Sequence, residues 1–171
     1  NEKIFILKEL FYIFDSYLED KQNAHRILEE IFEYDKNDKD VLQRLYEYYQ
    51  EIADIEKQKL ILTHLVQLEE SKDKKIEYLF KIGEIFQYHD KDFDSAENCY
   101  YQVKTLDPFS ERAFTLLENL YLEQQKFEPL HDLYDQTIEN YKKSELSIKD
   151  EKIAQILLTK AKVFYIYQQD I

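Results

Sequence analysis

The densest run of side chains able to hold a ligand is His89-Asp90-Lys91-Asp92-Phe93-Asp94-Ser95-Ala96-Glu97, where carboxylates alternate much as in a calcium-binding loop. The mechanism fails on two counts. An EF-hand loop needs a glycine for its sharp turn and a bidentate glutamate at its twelfth position, whereas this run has no glycine and Tyr101 stands twelfth from Asp90. It reads as a solvated acidic turn, as do Asp35, Asp38 and Asp40. His25, His64, His89 and His131 lie far apart, and none has a second His or Cys at metal-ligand spacing. One glycine, Gly83, cannot build a phosphate-cradling loop, and no H-E-x-x-H, C-x-x-C or G-x-S-x-G motif exists. The sequence therefore predicts no metal, no cofactor, no catalytic residue and no enzymatic activity. Cys99 stands alone, which excludes an intrachain disulfide and predicts a small buried hydrophobe.

What the sequence has in excess is aromatic surface: 15 Tyr and 11 Phe in 171 residues, with no Trp. Tyrosines of this number serve as core or as rigid, amphipathic contact residues for a partner. Charge narrows the partner. The net charge is −13, and only Arg26, Arg44 and Arg112 among the 23 basic residues are arginines. Residues 1–72 carry 10 basic and 17 acidic side chains and residues 73–171 carry 13 and 19, so neither half hides a basic domain. Nucleic acid, which needs a basic face, is not expected as a partner. Ile4-Phe5-Ile6-Leu7 is too short for a signal peptide or a membrane span and is followed by Lys8, Glu9 and Asp15, so no membrane insertion is expected. The chain contains no Met, and the expectation is a fragment of something longer. The residues name no compartment.

The elements that must position these side chains are helices. One Gly and two Pro in a chain with 35% charged residues leave too few turn residues for a sheet-based fold. Leu79-x2-Ile82-Gly83-x2-Phe86, then Ala96-x3-Tyr100, then Leu106-Asp107-Pro108 place small residues where two helices approach closely and a proline where the second must stop. Phe14 to Phe86, Ala24 to Ala96 and Leu28 to Tyr100 are each 72 residues apart, which reads as two units of about 36. The intermediate unit matches less well: Tyr48 pairs with Tyr121 one position past that period, and the slip is assigned to the turn around Ala53-Asp54. Phe164 overshoots the period measured from Phe86, which would fall at Leu158, and this predicts an insertion within 140–150. Helices are predicted over 3–18, 21–35, 38–51, 55–70, 73–89, 93–106, 110–124, 128–143 and 149–168, with Asp94-x-x-Glu97 as a capping box for the sixth and Pro129 in the first turn of the eighth.

These motifs resemble the tetratricopeptide repeat (TPR), a helix-turn-helix unit of about 34 residues. The resemblance implies an all-α fold, a right-handed superhelical α-solenoid of antiparallel helix hairpins with about four repeats plus one further helix. It implies a single array over 1–171, with units near 1–36, 37–72, 73–108, 109–146 and an incomplete 147–171. In this family the first helix of each hairpin lines a concave face that takes the partner. Positions flanking the packing residues then give a candidate binding face of Tyr12, Leu42, Tyr46, Tyr49, Phe80, Glu84, Gln87, Asn119, Lys162 and Tyr165, with Thr115, Leu122 and Leu158 beside them. The family's carboxylate clamp, built from Lys and Asn, is not present, because Phe80, Glu84 and Thr115 occupy the comparable positions with Asn119.

The implied function is a non-enzymatic protein-protein interaction scaffold holding a peptide or helical segment in the concave groove. The acidic surface favours a neutral or basic segment. Two alternatives stand beside it. One is an architectural or self-associating segment whose uncapped ends stack on a copy, and the other is a helical regulatory module of a multidomain enzyme.

Overall fold

A computed structural model describes residues 2–168 of the chain, all of them in helices and turns. Nine α-helices are present among the described residues: α1 Glu2–Tyr12, α2 Lys21–Tyr34, α3 Lys39–Glu51, α4 Ile55–Leu68, α5 Lys72–Glu84, α6 Phe93–Leu106, α7 Glu111–Glu123, α8 Phe127–Lys143 and α9 Lys149–Gln168. α1 and α5 each run on into a π-helical turn, Ile13–Tyr17 and Ile85–Asp90. The predicted helices reappear within a few residues of their expected ends. The fold is all-α and built from helix hairpins.

Two compact units divide the chain, unit 1 at Asn1–Asp90 and unit 2 at Lys91–Ile171. The boundary falls inside the stretch from Leu79 to Pro108, so α5 belongs to unit 1 and α6 to unit 2. Within each unit every helix packs on the next in sequence: α1 on α2, α2 on α3, α3 on α4 and α4 on α5 in the first, α6 on α7, α7 on α8 and α8 on α9 in the second. Nearest-neighbour packing of this kind is how repeats bury a core that no single hairpin could.

Turn chemistry keeps the period. Four residues with positive φ are found among the described residues, Glu19 (51°), Ala53 (54°), Lys91 (58°) and Gln125 (55°), and each lies in the turn between two helices. Glu19 and Lys91 stand one full period apart, and so do Ala53 and Gln125. None is a glycine, so each turn accepts a left-handed backbone at roughly 1 kcal/mol. Caps on the helix that follows offset part of that cost after Glu19, Ala53 and Lys91. Asp20 accepts from the Asn23 N–H, Asp54 from Lys57 and Asp92 from Ser95, each at 3.1 Å. α6 is therefore capped by Asp92, which also accepts from Ser95 Oγ at 2.6 Å, and not by the Asp94–Glu97 box that the sequence predicts. Gly83 is buried within α5 and has no unusual φ, so its use is close approach of neighbours.

The structure also corrects the register of the intermediate unit. α3 starts at Lys39 and α7 at Glu111, and they end at Glu51 and Glu123, so both ends keep the period without a slip. Tyr121 therefore corresponds to Tyr49 and not to Tyr48, and no residue is inserted in the turn. Both tyrosines are buried, both give their backbone carbonyl to the hairpin turn (Asp54 N–H at 3.0 Å, Lys126 N–H at 2.9 Å), and both donate their hydroxyl to a glutamate. The predicted insertion is divided between α8, which runs 17 residues, and the turn 144–148.

Core positions follow the same spacing. Leu45 and Leu117 are fully buried, as are Ala96, Tyr100, Leu42, Leu62, Leu130 and Tyr134, while Ala24 and Leu28 are nearly so. Cys99 is buried, and burial pushes its thiol up to about 11, which makes it a packing residue rather than a nucleophile.

Candidate interaction surface and pocket

The candidates of unit 1 separate into two groups by accessibility. Leu42, Tyr46, Tyr49, Phe80 and Gln87 are buried, Glu84 is half-buried, and Tyr12 is 54% exposed. The one-residue register error explains part of this, because positions taken as flanking the packing residues on α3 are the packing residues themselves. Close packing of α3 and α5 side chains explains the rest. The Lys81 ammonium of α5 sits 5.0 Å from the Tyr46 ring centroid, and Tyr78 donates to Gln43 at 3.4 Å. Burial raises the Tyr46 phenol, with Lys81 opposing it.

Tyr49 anchors a polar network. Its hydroxyl donates to Glu29 Oε1 at 2.8 Å, Lys57 donates to the same oxygen at 2.6 Å, and His25 Nε2 lies 3.3 Å from it. Gln58 Nε2 caps the Tyr49 carbonyl at 2.9 Å. Burial pushes the Glu29 carboxyl up, but the bonds from Lys57 and Tyr49 outweigh it and hold the carboxyl below its usual range. His25 stacks on Tyr48 with ring centroids 3.5 Å apart, and its buried Nδ1 has no hydrogen-bond partner. Desolvation keeps that imidazole neutral, its pKa lowered despite Glu29. The network ties α2, α3 and α4 together, with Glu29, Tyr49 and Lys57 on the wall of one pocket and His25 and Tyr48 on the wall of another.

A run of accessible apolar residues in unit 1 follows α1 and the π-helical turn after it, apart from the separate exposed positions Tyr34, Ile52, Leu60 and Tyr88. Ile6, Leu10, Ile13 and Tyr17 recur at i, i+4, i+7 and i+11, Phe5 and Tyr12 lie beside them, and all six are 39% or more exposed. Tyr12 and Tyr17 meet edge to face at 5.5 Å. Sequence reasoning finds only Tyr12 here. The signal for the others is present, since α1 is apolar on more faces than one core contact can cover, Leu7 being its sole buried residue.

In unit 2 the candidates remain accessible: Asn119, Lys162, Tyr165, Thr115 and Leu158 are exposed, and Leu122 is half-buried. Tyr165 and Leu158 are joined on α9 by exposed Leu157 and Ile166. The structure adds a pocket of about 230 Å³ that sequence reasoning misses, walled by α7, α8, α9 and the end of α6. Thr115 is the one candidate that reaches it. Phe109, Phe114 and Tyr141 supply its aromatic walls, and Lys104 enters from α6. Comparing positions one period apart flags that lysine from the sequence, because Lys104 takes the place of Phe32.

Among the described residues no three His, Cys, Asp or Glu side chains are grouped as metal ligands, and no helix is long and apolar enough to cross a membrane.

The described residues thus define an all-α protein of consecutively packed hairpins. No family model matches the chain, and no curated protein matches it. Among solved structures, a crystal structure of MamA covers 86% of this chain and 88% of its own at 16% identity, with a TM-score of 0.49. A second crystal structure, of MamA protein, covers 85% and 97% at 17% identity, with a TM-score of 0.38. Likenesses this distant assign no site, partner or activity to the chain.

Proposed function

We propose that the chain is a non-enzymatic protein-interaction scaffold that takes a peptide or helical segment on the exposed side chains of its odd-numbered helices. The observation that carries this is the apolar row that runs from Ile6 and Leu10 of α1 into Ile13 and Tyr17 of the π-helical turn after it, all four exposed to solvent. A row of that kind matches the anchors of an amphipathic helix laid along it. Tyr12 adds a rigid contact that loses little entropy on binding. Net charge of −13 favours a neutral or basic segment and speeds its encounter. In unit 2 the corresponding surface is Asn119, Lys162 and Tyr165.

The test is a titration of a captured and identified partner segment against wild type and the double variant Tyr12→Ala/Tyr17→Ala. Both side chains are more than half exposed, so the fold should survive by circular dichroism. Affinity should drop at least tenfold, about 1.4 kcal/mol. Unchanged affinity in that variant and in Tyr165→Ala would sink the proposal.

A second reading, self-association, is favoured by exposed Leu157, Leu158, Tyr165 and Ile166 on α9. Light scattering at two protein concentrations separates it: a mass that grows with concentration and reverts in Leu158→Ser supports it.

A further inference from the structure

Lys104 occupies a place meant for a core side chain. Its counterpart one period earlier, Phe32, is buried at 8% exposure and packs edge to face on His64. In unit 2 the lysine stem follows the same inward course, and its amine ends at the pocket. Nζ donates to the Pro108 carbonyl at 2.7 Å and to Thr137 Oγ1 at 3.3 Å. Thr137 Oγ1 is free to accept because its own proton goes to the Leu133 carbonyl at 2.7 Å.

Among the described residues no carboxylate forms an ion pair with this amine. Four other charged groups surround it: Asp107 beyond the end of α6, Glu111 and Glu118 on α7, and Lys152 on α9. Glu111 is taken by Lys152, and Glu118 accepts the Tyr134 hydroxyl. Tyr141 contributes the phenol of α8, packed on Phe109 with centroids 5.0 Å apart. Two acceptors satisfy the two N–H bonds of a neutral amine and leave its lone pair at the remaining tetrahedral position.

We infer that this pocket is a covalent-capture site for a small aromatic carbonyl compound, with the Lys104 amine condensing on the carbonyl carbon. The amine lone pair attacks that carbon as the C=O π pair moves to oxygen, and a proton passes from nitrogen to the new alkoxide. The nitrogen electron pair then expels the hydroxyl, which leaves as water with the remaining N–H proton, and a C=N bond is left. Amine plus aldehyde gives imine plus water, and no oxidant or reductant is consumed. Phe109, Phe114 and Tyr141 line the space the aromatic group would take, the Lys104 amine lies over the Phe114 ring 5.9 Å from its centroid, and the volume suits one ring. Burial pulls the Lys104 amine down to about 8, with Asp107 opposing. About a tenth of it is then free base at pH 7, against on the order of 0.03% for an exposed lysine.

The experiment uses the full chain with benzaldehyde and sodium cyanoborohydride at pH 7, with modified lysines mapped by mass spectrometry. Lys104 should label at least tenfold faster than exposed Lys162, and Lys104→Arg should remove the fast site. Thr115→Trp, at an exposed position that lines the pocket, should block benzaldehyde while leaving labelling by formaldehyde, which needs no ring space. Labelling of Lys104 no faster than Lys162 overturns the inference. So does an equal effect of Thr115→Trp on the two aldehydes.

Discussion

Units 1 and 2 repeat one backbone with a common period and fill it differently. Position for position, Leu45 and Leu117 are the same residue in the same burial, and Tyr49 and Tyr121 both send a hydroxyl to a glutamate that a lysine also holds. Glu29 receives Tyr49 and Lys57, whereas Glu97 receives Tyr121 with Lys126 at 3.5 Å. The glutamates do not correspond, since Glu97 stands opposite His25. A tyrosine hydroxyl carried into the core needs an acceptor, and the two units found one from different turns of the same helix. Elsewhere the units part company. Phe32 becomes Lys104 and Tyr46 becomes Glu118, and these two exchanges line the pocket of unit 2. Shared positions carry the fold, and these divergent ones line the pocket.

The largest effect is expected from truncating the shared core. Leu45→Ala and Leu117→Ala should each cost about 2–5 kcal/mol in urea unfolding, by lost burial and the cavity left behind. A loss in one and none in the other would mean that the two positions are not equivalent. Next in size, Tyr49→Phe and Tyr121→Phe each leave a carboxylate short of a donor. About 1–2 kcal/mol should be lost in both, measured by thermal melts. A smaller effect of opposite sign is expected from Lys104→Phe, which gives unit 2 the residue of unit 1. Removing a poorly solvated amine should raise stability by about 1 kcal/mol, and a loss would show that the lysine is held more favourably than its surroundings indicate.

The smallest effect is a pH dependence confined to unit 1. His25 has its pKa lowered below the 6.5 of the unfolded chain, chiefly by burial. The unfolded chain thus binds the proton first, so this contribution is intact above pH 6.5 and is lost as pH falls toward the folded value. His25→Phe should flatten the dependence of the melting temperature on pH between pH 7 and pH 5. No corresponding imidazole exists in unit 2, where position 97 is Glu. Below that window the lowered carboxyls of Asp20, Asp38 and Glu29 add further loss in the same direction.

Much of the helix plan can be read directly, because Ala24, Leu28, Ala96 and Tyr100 mark it with residues whose sizes the packing demands. The register of α3 is harder. Tyr48 and Tyr49 are adjacent and chemically identical, so spacing alone does not tell which faces inward, and choosing Tyr48 carries Leu42, Tyr46 and Tyr49 onto the predicted surface. The α1 stripe is hidden for a related reason. Apolar periodicity shows that a helix wants cover and does not show on how many sides it receives it.

The all-α class, the repeat period and the helix positions to within a few residues can be read from the chain alone, since those depend on local propensity and repeated side-chain size. Which tyrosines are core, which apolar residues stay in solvent, and the meeting of Lys104, Thr137 and Tyr141 at one pocket are set by how the helices pack. Those outcomes depend on neighbours far away along the chain, and a side chain's environment is set by what packs against it rather than by its own identity.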